Sequence, residues 1–170
     1  MSRALALAAF ACAVLACGPK DHAKAGYEAL REGKNDVAID ELRAALLQDE
    51  AQPDVHYDLG VAYENVGWEA KALPELERAV ALDPKNEQFR GGLAETKRTL
   101  GYRAATEKRY ADAARLDQET LLLAPNDATT WYNLSVALRS LKRMDEAKGA
   151  LARAVELDPK HFAGKEKAFR

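Results

Sequence analysis

Small, apolar and helix-ending residues recur along this chain at matched distances. Gly26, Gly60, Gly101 and Ser135 form one column, with steps of 34, 41 and 34. Ala38, Ala72, Ala113 and Ala147 repeat those steps, and Pro84, Pro125 and Pro159 continue them with 41 and 34. A period near 34 shared by three columns predicts a stacked array of helical units, each too small to bury its apolar face alone.

Composition supports helices throughout. Charged residues make up 31% of the chain and aromatics 7%, with Ala, Leu, Glu, Lys and Arg abundant and β-branched residues scarce. The expectation is an all-α fold. Ahead of the array, Arg3 precedes an unbroken apolar run from Ala4 to Leu15. That run falls short of the roughly 20 residues that cross a bilayer, so residues 1–16 read as a secretory signal. Removing them from the 170 residues leaves one domain by length. Net charge is −2, so no basic excess is available to hold nucleic acid. Cys12 lies inside the leader, which leaves Cys17 without a disulfide partner. Stability must then come from packing.

The residues in these columns resemble the tetratricopeptide repeat family, whose unit is a pair of helices. Four repeats fit, at 19–52, 53–86, 94–127 and 128–161. The second carries the pattern as His56, Leu59, Gly60, Tyr63, Ala72, Leu76, Ala79 and Pro84. The fourth carries it as Trp131, Leu134, Ser135, Leu138, Ala147, Leu151, Ala154 and Pro159. The first has His22, Ala25, Gly26, Ala29, Ala38, Leu42 and Ala45, with Glu50 in place of proline. The third keeps Leu100, Gly101, Ala104, Ala113 and Pro125 but puts Lys97, Asp117 and Thr120 where apolar or small residues belong. The resemblance implies an α-solenoid of four helical hairpins, with the third packed least well.

Extra residues, Glu87 to Leu93, produce the one long interval. They are close to two helical turns, so the first helix of the third repeat is expected to start near Glu87. Gly91 and Gly92 mark either a break there or a close backbone contact. Pro74 falls early in the second helix of repeat two and is expected to kink or delay it. Residues 162–170 read as a short cap. Either a partner or a second copy covers the end around Leu151 and Val155, or Phe162 and Phe169 fold back over it.

Motifs that carry chemistry are missing: there is no paired-histidine helix, Gly-rich phosphate loop or Gly-x-Ser-x-Gly elbow. His22 and His56 occupy the same place in adjacent repeats, but Lys97 and Trp131 take the matching places further on, so no set of metal ligands is implied. A packing role fits both histidines. Carboxylates such as those of Glu28/Arg31 and Glu75/Arg78 have the spacing of solvated helix pairs. An enzyme is not expected, and no cofactor or metal is implied.

The family resemblance places a peptide-binding groove on the first helices of the repeats. Carried over, its residues are Tyr27 and Arg31; Tyr57, Asp58, Val61, Glu64 and Asn65; Arg98, Tyr102 and Thr106; and Tyr132, Asn133, Val136 and Arg139. Tyrosines among Asp, Asn and Arg suit an extended peptide or a helix, although some of them can equally pack between helices. Family members that clamp a chaperone's C-terminus use Asn where this chain has Tyr27 and Val61, so that role is not implied. Trp68, at the turn in repeat two, is either an exposed anchor or a cover for Pro74.

The segment Val14-Leu15-Ala16-Cys17-Gly18 resembles the bacterial lipobox, which implies cleavage after Ala16 and lipid on Cys17. Gly18 in the next place favours the outer membrane, facing the periplasm. Together these features lead to an expected lipid-anchored envelope adaptor or scaffold that binds another envelope protein or peptide segment. A homodimer through the C-terminal end is a further expected partnership. A pilotin-like assembly factor for a type IV pilus or secretion-system secretin is the narrower alternative. Globomycin, which blocks lipoprotein signal peptidase, is expected to leave the precursor uncut; continued processing by immunoblot would refute the lipobox.

Overall fold

Second helices start at Asn35, Glu69, Tyr110 and Met144, at the same intervals as the glycine and alanine columns. The computed structural model describes residues 21–165 and Lys167, so the leader, Cys17 and Phe169 lie outside the described residues. Helix α1 (His22–Arg31) pairs with α2 (Asn35–Gln48), and α3 (Pro53–Asn65) with α4 (Glu69–Leu82). Likewise α5 (Glu87–Thr106) pairs with α6 (Tyr110–Leu123), and α7 (Ala128–Ser140) with α8 (Met144–Leu157). A last turn, α9, spans Pro159–Phe162. The described residues contain no strand, and the fold is an all-α tetratricopeptide-type solenoid.

Local chemistry starts and stops each helix. Asp21 accepts from the Lys24 N–H, Asn86 from Gln88 and Phe89, and Asp127 from Thr129, so side chains satisfy first-turn donors. Pro53 opens α3, where its missing N–H has no helical partner to lose. Each turn between paired helices passes through one left-handed residue: Gly33, Gly67, Lys108 and Lys142 have φ of 74°, 76°, 62° and 62°. Glycine takes that conformation freely, while the two lysines hold it at a cost of roughly 1 kcal/mol each.

Within a pair, the small column sets the approach. A Cβ on Gly26 would lie 2.6 Å from Leu42 Cγ, and one on Gly60 would lie 2.7 Å from the Leu76 side chain. Ala38, Ala72, Ala113 and Ala147 are fully buried on the facing helices. The apolar residues form two cores. One runs from Ala29 to Leu93, the other from Ala104 to Leu151. Helix α5 contributes to both.

The 20-residue α5 begins at Glu87, as the insertion predicts. Gly92 is a point of close contact, since a Cβ there would stand 2.7 Å from Tyr57 Cε2, whereas Gly91 has nothing within 4 Å. The expected delay at Pro74 does not occur. Helix α4 starts in step with the other second helices and continues to Leu82. Proline there removes one early hydrogen bond, and the burial of Leu76 and Ala79 on the far side keeps the helix in place. At the C-terminal end Leu151 is buried, and Phe162 folds back to stack on Tyr132 with ring centroids 5.0 Å apart.

The two adjacent glycines should respond with opposite signs. Gly91→Ala is expected to stabilise by about 0.8 kcal/mol, the helix-propensity difference at an open position. Gly92→Ala is expected to destabilise by about 1 kcal/mol, because its methyl meets a ring held by Phe89. Urea unfolding followed by circular dichroism checks both.

Candidate functional site: the inner wall of the first helices

Successive first helices touch, α1 with α3 and α5 with α7, and this places them on the inner side of the stack. Between α1, α3 and α5 lies an open cavity of about 460 Å³. Ala23, Lys24 and Tyr27 line it from α1, Asp54, Val55, Tyr57 and Asp58 from α3, and Gln88 and Phe89 from α5. Three residues of the sequence-derived groove therefore meet at one place: Tyr27, Tyr57 and Asp58.

The four groove tyrosines divide into two kinds. Tyr27 and Tyr102 are 49% and 63% exposed. Tyr57 and Tyr132 are half-buried, each with a phenylalanine stacked on it at 5.0 Å, Phe89 and Phe162 respectively. The Lys165 ammonium also sits 5.1 Å from the Tyr132 ring centre. Tyr57 and Tyr132 are thus partly committed to packing. Sequence inspection missed both stacking contacts, although each phenylalanine follows the proline that closes a repeat, Pro84 or Pro159.

The polar groove residues are largely tied to the protein itself. Glu64 accepts from the Thr96 hydroxyl, and burial raises its carboxyl above the usual range despite that bond. Asn65 donates to Asn35 Oδ1 at 3.0 Å, bridging α3 to α2. Arg98 grips Glu95 through two nitrogens, and the Thr106 hydroxyl donates to the Arg103 carbonyl. Val61, Asn133, Val136 and Arg139 are half-buried, with Arg139 engaged. Arg31 lies 5.8 Å from the Tyr27 ring centre. Asp58 is different: burial first, and the Asp54 carboxylate second, push it up to about 6. Trp68, 45% exposed at its turn, carries the Lys71 ammonium 4.1 Å from one ring centre.

Partly buried polar groups tie the helices within and between units. His22 Nδ1 meets Glu41 Oε2 at 2.8 Å, and His56 Nδ1 meets Glu75 Oε2 at 2.7 Å, each across a hairpin at the same sequence offset. Glu75 is therefore not a partner on a solvated face, as its spacing to Arg78 suggests, but a tie to the first helix. The other His56 nitrogen faces the Glu50 carbonyl at 2.9 Å. Trp131 Nε1 donates to the Pro125 carbonyl at 2.8 Å across a matching offset. Both rings thus tether the link between units, which is the packing role expected of His56. The recurring His–Glu offset was the signal available in the sequence. Among the described residues, no three His, Cys, Asp or Glu side chains gather as a metal site.

Between the two cores lies a polar layer. Burial would lower the Lys97 ammonium, but its bonds to Glu119 Oε2 at 2.6 Å and Glu77 Oε1 at 2.7 Å outweigh that and raise it. This residue fastens α5 to both α4 and α6. Asp117 takes the place of Leu42 and Leu76, against Gly101, and its Oδ1 has no hydrogen-bond partner. Burial, with a smaller push from Asp127, raises its carboxyl to about 7.

Stacked hairpins whose first helices form a shared inner wall define a helical-repeat scaffold for protein–protein interaction, a class that is typically non-enzymatic. Family models described as TPR or tetratricopeptide repeat match residues 26–67, 53–86 and 128–161, together more than half of the sequence. The chain belongs to the tetratricopeptide repeat family. No curated protein sequence matches it. Solved structures share the fold. MamA from Desulfovibrio magneticus RS-1 is 23% identical, over 84% of this chain and 78% of that one, with a TM-score of 0.56. MamA AMB-1 is 26% identical, over 81% and 72%, with a TM-score of 0.55. YrrB, described as a TPR protein with an unusual peptide-binding site, is 23% identical over 82% and 69%, with a TM-score of 0.57.

Asp117 gives the fold a pH dependence of defined sign. Its folded value of about 7 lies above the ordinary carboxylate value, so between about pH 4 and 7 the folded chain binds the extra proton and stability falls as pH rises. Asp117→Leu is expected to flatten that slope, leaving below about pH 6 the part that Asp58 contributes, and to raise stability at neutral pH by on the order of a few kcal/mol. Urea midpoints measured from about pH 4 to 8, on the order of one unit apart, test it.

Proposed function

We propose that this protein is an adaptor or scaffold of the bacterial cell envelope, tethered by lipid at Cys17 and holding a segment of another envelope protein against its inner wall. The observation that carries the binding half is the open cavity between α1, α3 and α5, flanked by exposed Tyr27 on one side and Tyr102 further along. Aromatic side chains left half in water on a rigid wall suit a partner that supplies the missing contact. The peptide-binding site named for YrrB, on the same fold, supports a peptide-like partner here.

The tether rests on the lipobox resemblance at Val14–Gly18. Two acyl chains, at roughly 0.8 kcal/mol per buried methylene, give stable attachment where one gives only a marginal hold. With so few residues between Cys17 and α1, the array would work close to the bilayer, in our reading at the periplasmic face of the outer membrane. The narrower form of this reading is a pilotin-like factor that brings a secretin to that membrane, and the order of lipobox then repeats supports it. In either form the protein contributes binding and position rather than chemistry.

Tyr27→Ala combined with Tyr102→Ala is expected to reduce capture of the partner at least about tenfold, since each lost interface aromatic removes about 1 kcal/mol or more. Crosslinking in intact cells with mass spectrometry reads the capture, and circular dichroism should show unchanged helicity because both rings are exposed. A folded double variant that still captures its partner would remove the inner wall from the proposal.

A further inference from the structure

The cavity between α1, α3 and α5 has the makings of a cation pocket, and the chain shows the filled counterpart on itself. Tyr57 and Tyr132 occupy equivalent places in repeats two and four, and both carry a stacked phenylalanine at 5.0 Å. In repeat four an ammonium completes the arrangement: Lys165 stands 5.1 Å from the Tyr132 ring centre. Exposed rings elsewhere follow suit, with Lys71 against Trp68 and Arg31 against Tyr27. At Tyr57 no cation of the described residues takes that position.

What repeat two has instead is negative charge. The residue after Tyr132 is Asn133; the residue after Tyr57 is Asp58, which lines the cavity with Asp54. The two carboxylates lie one turn apart on α3, a spacing at which like charges repel. Asp54 is in the first turn, where the helix dipole favours an acid, but Asp58 is a turn deeper and gains little from it. Neither makes a hydrogen bond or ion pair with a described residue, and Lys24 on the rim pairs with neither. An aromatic face beside an uncompensated, half-buried carboxylate is the arrangement that attracts an ammonium or guanidinium.

We propose that this cavity receives a lysine or arginine side chain from the partner's segment, with the cation against Tyr57 and in contact with Asp58. The proposal rests on the inner wall being the partner's site and adds the chemistry that the partner must bring. Burial of Asp58 sets a condition: the pocket is fully charged only above about pH 6.

The test is amide chemical-shift mapping of the isotope-labelled chain with three blocked pentapeptides that carry arginine, citrulline or glutamate between alanines. Citrulline keeps the shape of arginine and removes its charge. The arginine peptide is expected to shift Tyr27, Tyr57, Asp58 and Gln88 and to bind at least about fivefold more tightly than the citrulline peptide. Asp58→Asn should abolish that preference, as should lowering the pH through about 6. Equal binding of arginine and citrulline peptides overturns the cation pocket, as do tighter binding of glutamate, shifts away from these residues, or no saturable shift. If crosslinking still depends on Tyr27 and Tyr102 in that case, the inner-wall reading stands and only its charge preference is lost.

Discussion

The first half of the stack depends on one contact made twice: a leucine of the second helix lying where the first helix has no side chain at all. Leu42 over Gly26 and Leu76 over Gly60 leave too little room for any added carbon. That closeness lets fully buried alanines on the facing helix reach backbone, and the hairpin becomes a dense two-layer unit. With the hairpins stacked side by side, the first helices fall on one side, α1 against α3 and α5 against α7. The wall on which we propose that a partner is held is thus a by-product of that packing.

Where the rule is broken, the structure compensates unevenly. In the third unit, Asp117 lies against Gly101 with one oxygen unpaired, so the contact survives in geometry but not in chemistry. Lys97, by contrast, is matched by two glutamates from neighbouring helices. The longer α5 contributes Leu93 to the first core and Ala104 to the second. It also delivers Phe89 onto Tyr57, which makes the insertion part of the inner wall.

Much of this was legible in the sequence because the small-residue columns encode helix proximity directly. The period gave the number of hairpins, and the length of the insertion gave the start of α5. Less legible was the division of labour among groove residues. Repeat equivalence predicts which face a tyrosine occupies, not whether Phe89 or Phe162 lies on top of it. At Pro74 a kink or a delayed start is expected, and the delay is removed by α4 starting in step with the other second helices, with Leu76 and Ala79 buried beyond it. Glu75 illustrates the same limit: its nearest base along the helix was Arg78, but its partner is a histidine on another helix.

The lysine and glutamates that bridge the two apolar cores also mark where one oily interior gives way to the next. A buried ammonium offsets the cost of leaving water only when its partners are well placed, so this layer demands geometry as strictly as the apolar packing on either side. The two halves are nonetheless joined by backbone as well as by charge, because α5 runs unbroken from Leu93 in one core, past Lys97, to Ala104 in the other. A ligand reaching from Tyr27 to Tyr102 would therefore span both oily cores and the charged seam between them.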